Sequence, residues 1–168
     1  MASTPSCLMS IRTRIATESD LAAIAELFDS YRQFYEQAPD AQVAQRFIAE
    51  RLRNHDSILL VAEEGDGDAV GFCQLYPSFC SIEAKPIYIL SDLFVRPNAR
   101  RSGAGTALLK AAEKYSSQNG RVKMELTTAK TNKVAQAAYQ SLGWQQDEVF
   151  LAYGKRVEAA LKKRAPTG

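Results

Sequence analysis

The chain has 168 residues, 46% of them hydrophobic and 24% charged. That length predicts one domain with a core large enough to need no disulfide or metal, and the composition excludes a collagen-like or largely disordered chain. Lys and Arg number 21 against 19 Asp and Glu, a net charge of +2, too even for the basic footprint of a nucleic-acid binder.

Met1–Ser10 lacks the basic start and long apolar stretch of a signal peptide and reads as a loose end. A strand over Ile11–Ile15 puts Ile11, Thr13 and Ile15 on one face. Thr17-Glu18-Ser19-Asp20 carries the signature of a helix start. Leu21, Ile24, Ala25, Phe28, Tyr31 and Tyr35 follow at helical spacing, so an amphipathic helix is expected to run to about Glu36 and stop at Pro39. A second helix, from about Ala41 to Arg53, turns Val43, Phe47, Ile48 and Leu52 toward a core.

Ser57–Glu63 and Ala69–Tyr76 flank a Glu64-Gly65-Asp66-Gly67-Asp68 turn and predict a β-hairpin. A strand over Ile87–Val95 ends at Arg96-Pro97-Asn98. A helix then runs from Gly103 to Gln118 on an apolar stripe that includes Ala104, Leu108, Ala111 and Tyr115, and Asn119-Gly120 closes it. The remaining elements are a strand over Val122–Thr127, a helix from Asn132 to Leu142 closed by Gly143, and a strand over about Glu148–Tyr153. Lys155–Gly168 is basic and is expected to fray. The order β-α-α-β-β-β-α-β-α-β, with a right-handed strand–helix–strand crossover in its second half, predicts a mixed α/β sheet. It also predicts a single domain over residues 1–168 with its core at about 11–153.

Cys7, Cys73 and Cys80 are an odd number with no CxxC pair, which argues against a secreted disulfide framework and a thiolate zinc site and fits a reducing cytoplasm. His55 is the only histidine. A metal site built from several imidazoles is therefore excluded, and a Ser-His-Asp triad would have that one residue to use. No run approaches 18 apolar residues, so no membrane span is expected.

The informative stretch runs from Leu93 to Thr106: an apolar strand, a loop with Arg96, Arg100 and Arg101, then a helix beginning at Gly103 and Gly105. The first helical N–H groups have no internal partners and carry partial positive charge, an arrangement that suits a pyrophosphate. A solvated basic loop is the plainer alternative. Among phosphate-binding patterns, the P-loop lacks its Lys. A dinucleotide site has Gly103, Gly105 and a downstream Glu125, but Leu108 stands where its third glycine belongs and the loop is too long.

Arg100-x-x-Gly103-x-Gly105, after Leu93-Phe94-Val95, resembles the acyl-CoA signature of the GNAT N-acetyltransferase family. Asn132-x-x-Ala135-x-x-x-Tyr139-x-x-x-Gly143-Trp144 resembles that family's second segment, and the element order matches from Ile11 to Tyr153. The resemblance implies a mixed, mostly antiparallel sheet with a central splayed parallel strand pair and about four flanking helices. It implies acetyl-CoA as co-substrate, its pantetheine arm bonded to the main chain of Leu93, Phe94 and Val95. The pyrophosphate would be held by Arg100, Arg101, Ser102, Gly103, Ala104, Gly105 and Thr106, with Asn132 and Ala135 also on the donor side. It further implies Tyr139 as the acid that protonates the leaving thiolate. Asn132 and Tyr139 are seven residues apart, so they share a helix face about 10 Å apart along the axis. By pattern alone, Asn132 is also an N-cap and Tyr139 a core residue.

Tyr88-Ile89-Leu90-Ser91-Asp92-Leu93-Phe94-Val95 is similar to the matching strand of the polyamine and small-amine acetyltransferases. Several of these carry a glutamate, a candidate general base, where this chain has Ser91. Asp92 is the adjacent acid, but strand alternation sends it to the other face unless a bulge redirects it, and a purely structural role is the alternative. The base is unassigned. The first two helices and the loop before the Ile87 strand offer Tyr31, Phe34, Tyr35, Glu36, Tyr76, Phe79 and Glu83 to an acceptor, a set that suits an organic cation. Core packing is the alternative for Tyr31 and Tyr35. The expected reaction is direct acetyl transfer to a primary amine: a small amine, polyamine or amino acid first, a protein lysine or N-terminus next. A non-catalytic acyl-CoA-binding module and a dinucleotide-dependent oxidoreductase are the other classes. A homodimer is an expectation from the family, with no stretch that specifies its interface.

Overall fold

The computed structural model describes residues 10–65 and 67–158, so Cys7 and the basic run Lys162-Lys163-Arg164 lie outside the described residues. The chain divides into two compact units, one ending at Ala129 and the other beginning at Lys130. In the first unit, β1 (Ile11–Ile15), β2 (Ile58–Glu64), β3 (Asp68–Cys80), β4 (Lys85–Val95) and β5 (Met124–Glu125) form one sheet in that order. β1 to β4 are antiparallel neighbours, and β4 and β5 run parallel.

α1 (Leu21–Phe34) and α2 (Ala41–Asn54) cover one face of the sheet. Ile24, Leu27 and Phe28 of α1 and Ala44 and Ile48 of α2 meet Leu59, Phe72 and Phe94 there. α3 (Ala104–Gln118) packs on β1 through β4 with Leu108, Leu109 and Ala112 buried. The middle strands are thus covered on both sides, and Leu59–Ala62 and Val70–Leu75 are continuously buried, apolar but for Gln74, instead of alternating.

Helix ends depart from expectation for local reasons. Asp20 caps the Thr17 amide in a 3₁₀ turn before α1. The helix ends at Phe34, ahead of Pro39, because Glu36 turns left-handed at φ 60°. His55 ends α2 in the same conformation.

The strand expected over Val122–Thr127 is trimmed to Met124–Glu125. The strand expected over Glu148–Tyr153 does not form. The Asp147 carboxylate instead accepts bonds from the Val149 and Phe150 amides at 2.8 and 2.9 Å, a local turn that competes with extended pairing. In the second unit, α4 (Lys133–Ser141) is the helix expected after Asn132, and the Asn132 side chain caps the Ala135 amide at 3.2 Å. No helix among the described residues is long and apolar enough to cross a membrane.

Candidate active site

β4 carries the central irregularity of the sheet. Gln74 of β3 faces Asp92, while the next residue, Leu75, faces Leu90. Ser91 is therefore the extra residue of a β-bulge. The bulge leaves Ser91 exposed and turns Asp92 inward, to the face shared by Phe72 and Phe94. On its other edge β4 pairs with β5 only at Tyr88–Met124 and Ile89–Glu125. From Leu90 to Val95 the parallel partner is gone among the described residues, so β4 presents main-chain groups to a gap, as expected of a splayed pair. Leu93 and Val95 are half-buried along this edge, and Phe94 is buried.

Seven residues separate Val95 from Gly103, with a 3₁₀ turn at Pro97–Ala99, unlike the tight turn of a dinucleotide site. Glu125 is in turn paired with Lys123 at 2.8 Å. Gly103 stands at φ 90° as the N-cap of α3, and Arg101 at φ 70°. Both are left-handed positions, and the glycine adopts its own without penalty. A side chain added at Gly103 would meet nothing within 4 Å, and at Gly105 only a Val95 methyl at 3.8 Å, so the space before the helix is open. The Ala104 amide reaches Ser102 Oγ at 3.4 Å. The amides of Gly103, Gly105 and Thr106 bond to nothing within the described residues. Open amides at a helix start, beside exposed Arg101 and Ser102, are the groups a diphosphate requires.

The arginines divide. The Arg100 guanidinium lies 5.8 Å from the Phe34 ring and 5.9 Å from the Phe94 ring, and its Nε donates to the Val95 carbonyl at 3.3 Å. Arg96 donates to the Ala69 carbonyl. Arg96 is thereby turned to β3, whereas Arg100 braces the loop against α1 and stays exposed.

On the α1 side, Tyr31 packs edge-on against Phe72 and Phe94, with ring centres 6.2 and 6.4 Å away. Its hydroxyl donates to the Ser91 carbonyl at 3.3 Å, over the bulge, and also engages the Asp92 carboxyl. Asp92 is 9% exposed. Burial pushes its carboxyl above the usual range, against the opposing Tyr31 bond. Burial, then the nearby Asp92 charge, likewise raises the Tyr76 phenol. Tyr35 and Phe34 extend the aromatic cluster toward solvent, with ring centres 5.1 Å apart. Phe79 and Glu83 are elsewhere, at the tip of the β3–β4 hairpin. Phe79 faces Pro86, six residues and so about 20 Å along the strand from Asp92.

Gln74 and Ser57 carry no site role in the sequence reading, yet both are buried, Gln74 directly across the ladder from this acid and Ser57 bonded to Gln74. A lone amide in the apolar run Val70–Leu75 is the signal that marks Gln74. In the second unit, Asn132, Ala135 and Tyr139 are half-buried on α4, and the Tyr139 ring lies 6.0 Å from Trp144.

The model of the acetyltransferase (GNAT) family matches residues 21–144. A Bacillus subtilis protein described as the uncharacterized N-acetyltransferase YhfO is 49% identical over 146 residues, 87% of this chain and 97% of its own. An aminoglycoside N(6')-acetyltransferase type 1 of Salmonella typhimurium is 27% identical over 64% of this chain and 76% of its own. Among solved structures, a probable acetyltransferase superposes with a TM-score of 0.82 at 35% identity, covering 89% of this chain and 99% of that one. The aminoglycoside N-acetyltransferase AAC(6')-Iy in complex with CoA shares the fold, with a TM-score of 0.75 at 21% identity over 92% and 100% of the two chains.

Proposed function

Because this chain belongs to the acetyltransferase (GNAT) family and is an acetyl-CoA-dependent N-acetyltransferase, we propose that its acceptor is the primary amine of a small molecule, such as a simple amine, a polyamine or an amino acid, acetylated by direct attack. The observation that carries this reading is the bulge in β4, which sets one buried carboxyl, Asp92, beneath an aromatic cluster and beside an unpaired strand edge. Aromatic faces and a carboxylate together recognise an organic ammonium. Aminoglycoside acetyltransferases among the relatives support a small acceptor.

Acetyl-CoA supplies the acetyl group as a thioester. The main chain of Leu93, Phe94 and Val95 holds its pantetheine arm by strand-like bonds. The open amides of Gly103, Gly105 and Thr106 hold its diphosphate, with Arg100, Arg101, Ser102 and Ala104 around them, and Asn132 and Ala135 complete the donor side. An alkylamine is protonated at neutral pH and attacks only as the free base. Asp92 takes its proton: the N–H bond breaks, its electron pair stays on nitrogen, and an O–H bond forms on the carboxyl. As the C–N bond forms and the C–S bond breaks, Tyr139 gives its phenolic proton to the sulfur, and the second proton that the bonded nitrogen sheds passes through water to restore the phenol, leaving a neutral amide. The reading extends to one catalytic domain over residues 11–153 and to a reducing, cytoplasmic setting, which the free thiols of Cys73 and Cys80 support. It also takes in a homodimer, for which the exposed Val149, Phe150 and Leu151 offer apolar surface.

The test is release of free CoA thiol across a panel of simple amines, polyamines, amino acids, aminoglycosides and lysine peptides. Turnover is expected with small amines, and Tyr139→Phe lowers kcat about 10²-fold or more, the usual worth of a positioned acid, with acetyl-CoA affinity retained. Turnover confined to lysine peptides overturns the acceptor assignment, and an unchanged kcat in Tyr139→Phe removes that residue from the chemistry.

A further inference from the structure

Gln74 is fully buried, in a stretch of β3 whose neighbours are apolar. Its Nε2 donates to Ser57 Oγ at 2.7 Å, and its Oε1 has no partner among the described residues. A buried amide oxygen left unbonded is costly, so its persistence calls for a reason. Directly across the ladder stands Asp92. Opposed residues of antiparallel strands have Cβ atoms about 5 Å apart, within reach of one bond between their side chains. Gln74, with its orphaned oxygen, and the buried acid are therefore ladder partners on one face.

An amide offers a donor on one side and an acceptor on the other, and a hydroxyl both donates and accepts. In the orientation seen, with Nε2 on Ser57 and Oε1 unbonded, the O–H of a protonated Asp92 would fill the vacant oxygen. Turned over, the amide would accept from the Ser57 hydroxyl and donate Nε2–H to an ionised Asp92. Ser57 satisfies either orientation. We propose that Gln74, anchored by Ser57, is a positioning residue that turns its amide as Asp92 gains and loses a proton, giving the buried carboxyl a partner in both states. This rests on Asp92 being the group that takes the amine's proton. A desolvated carboxyl with a fixed partner in only one state would be trapped there; a reversible partner lets it cycle. The proton received from the amine leaves to water after the product departs.

Other groups acting on Asp92 are few. Tyr31 reaches it from α1, and Cys73 and Tyr76 flank it on β3. Arg51 and Asp56, at the end of α2, act on Tyr76 and pair with each other at 2.7 Å. None supplies an amide that donates in one state and accepts in the other. Burial raises the Asp92 carboxyl above its ordinary value, against the Tyr31 bond that lowers it.

The experiment is an NMR titration of the full chain, following the Asp92 carboxyl carbon and the Gln74 side-chain NH₂ signals, with no amine or acetyl-CoA present. Both are expected to titrate with one midpoint, and the Gln74 signals to become pH-independent in Asp92→Asn. In Gln74→Met, which keeps length and removes the donor to the ionised form, the Asp92 midpoint is expected to rise by about one pH unit or more. The acidic limb of the kcat profile moves up with it. Gln74 signals that do not follow Asp92, or a midpoint in Gln74→Met that stays or falls, overturn the proposal. If the titration behaves as expected but no acid limb appears in kcat, the Gln74–Asp92 pair stands and the role of Asp92 in proton removal fails.

Discussion

Arg14 in β1 reaches Asp20 through two bonds of 2.8 and 2.7 Å, and Glu63 of β2 through its Nε at 2.9 Å. One guanidinium thereby ties the first strand, the start of α1 and the second strand together. The Arg14 bond lowers the Asp20 carboxyl to about 2 from 3.8. A carboxyl lowered on folding stabilises the protein above its unfolded value and loses that contribution as pH falls through the folded value. Denaturant unfolding of the wild type should therefore weaken from about pH 4 to about pH 2. In Arg14→Gln this decline should be shallower, and equal slopes in the two proteins would contradict the assignment. The glycine-led loop is legible in the sequence, because Gly103 and Gly105 mark a helix start with open amides. The side chosen by Asp92 is not, since it depends on a bulge that no residue type encodes. Gln74 becomes visible only when the register sets it against that acid, and Ser57 only through its bond to Gln74.

At the level of elements, the helices and the long strands follow their apolar periodicity to within a few residues. The exceptions share a cause: short strands exist only if a neighbour completes them. β5 shrinks to Met124–Glu125 because its parallel pairing with β4 ends at Ile89. Glu148–Tyr153 has strand-forming residues, but Asp147 captures the local amides. The close approach of β3 and β4 is tested at Gly71. A Cβ there would fall 2.7 Å from the Phe94 carbonyl oxygen and 3.0 Å from a Val95 methyl. Backbone on one side leaves little room to yield, so Gly71→Ala should cost about 1–3 kcal/mol in chemical denaturation, as overpacking does. It should also weaken acetyl-CoA binding by displacing the strand edge at Leu93–Val95. Wild-type stability would show that β4 shifts freely.

For the molecule as a whole, the fold follows from one arrangement. Two helices and a third sandwich a sheet whose fourth strand is bulged and half-unpaired on its β5 edge, and that strand runs through a loop into a glycine-started helix. The class of chemistry is legible because its backbone requirements leave marks on the sequence. The acceptor is not, because aromatic and acidic side chains near α1 serve a core and a pocket equally well, and the structure separates Tyr31 and Tyr76 from Phe79 and Glu83.

The central claim is that open amides at the start of α3 hold the diphosphate of acetyl-CoA. Calorimetric titration with acetyl-CoA tests it in three proteins: the wild type, Gly103→Val and Gly120→Val. Gly120 is also left-handed, at φ 68° beyond the other end of α3, so it controls for backbone strain. The wild type should bind saturably, Gly120→Val should match it, and Gly103→Val should bind about tenfold or more weakly, a loss of about 1.4 kcal/mol or more. Equal affinity in all three, or no binding to the wild type, would contradict the account.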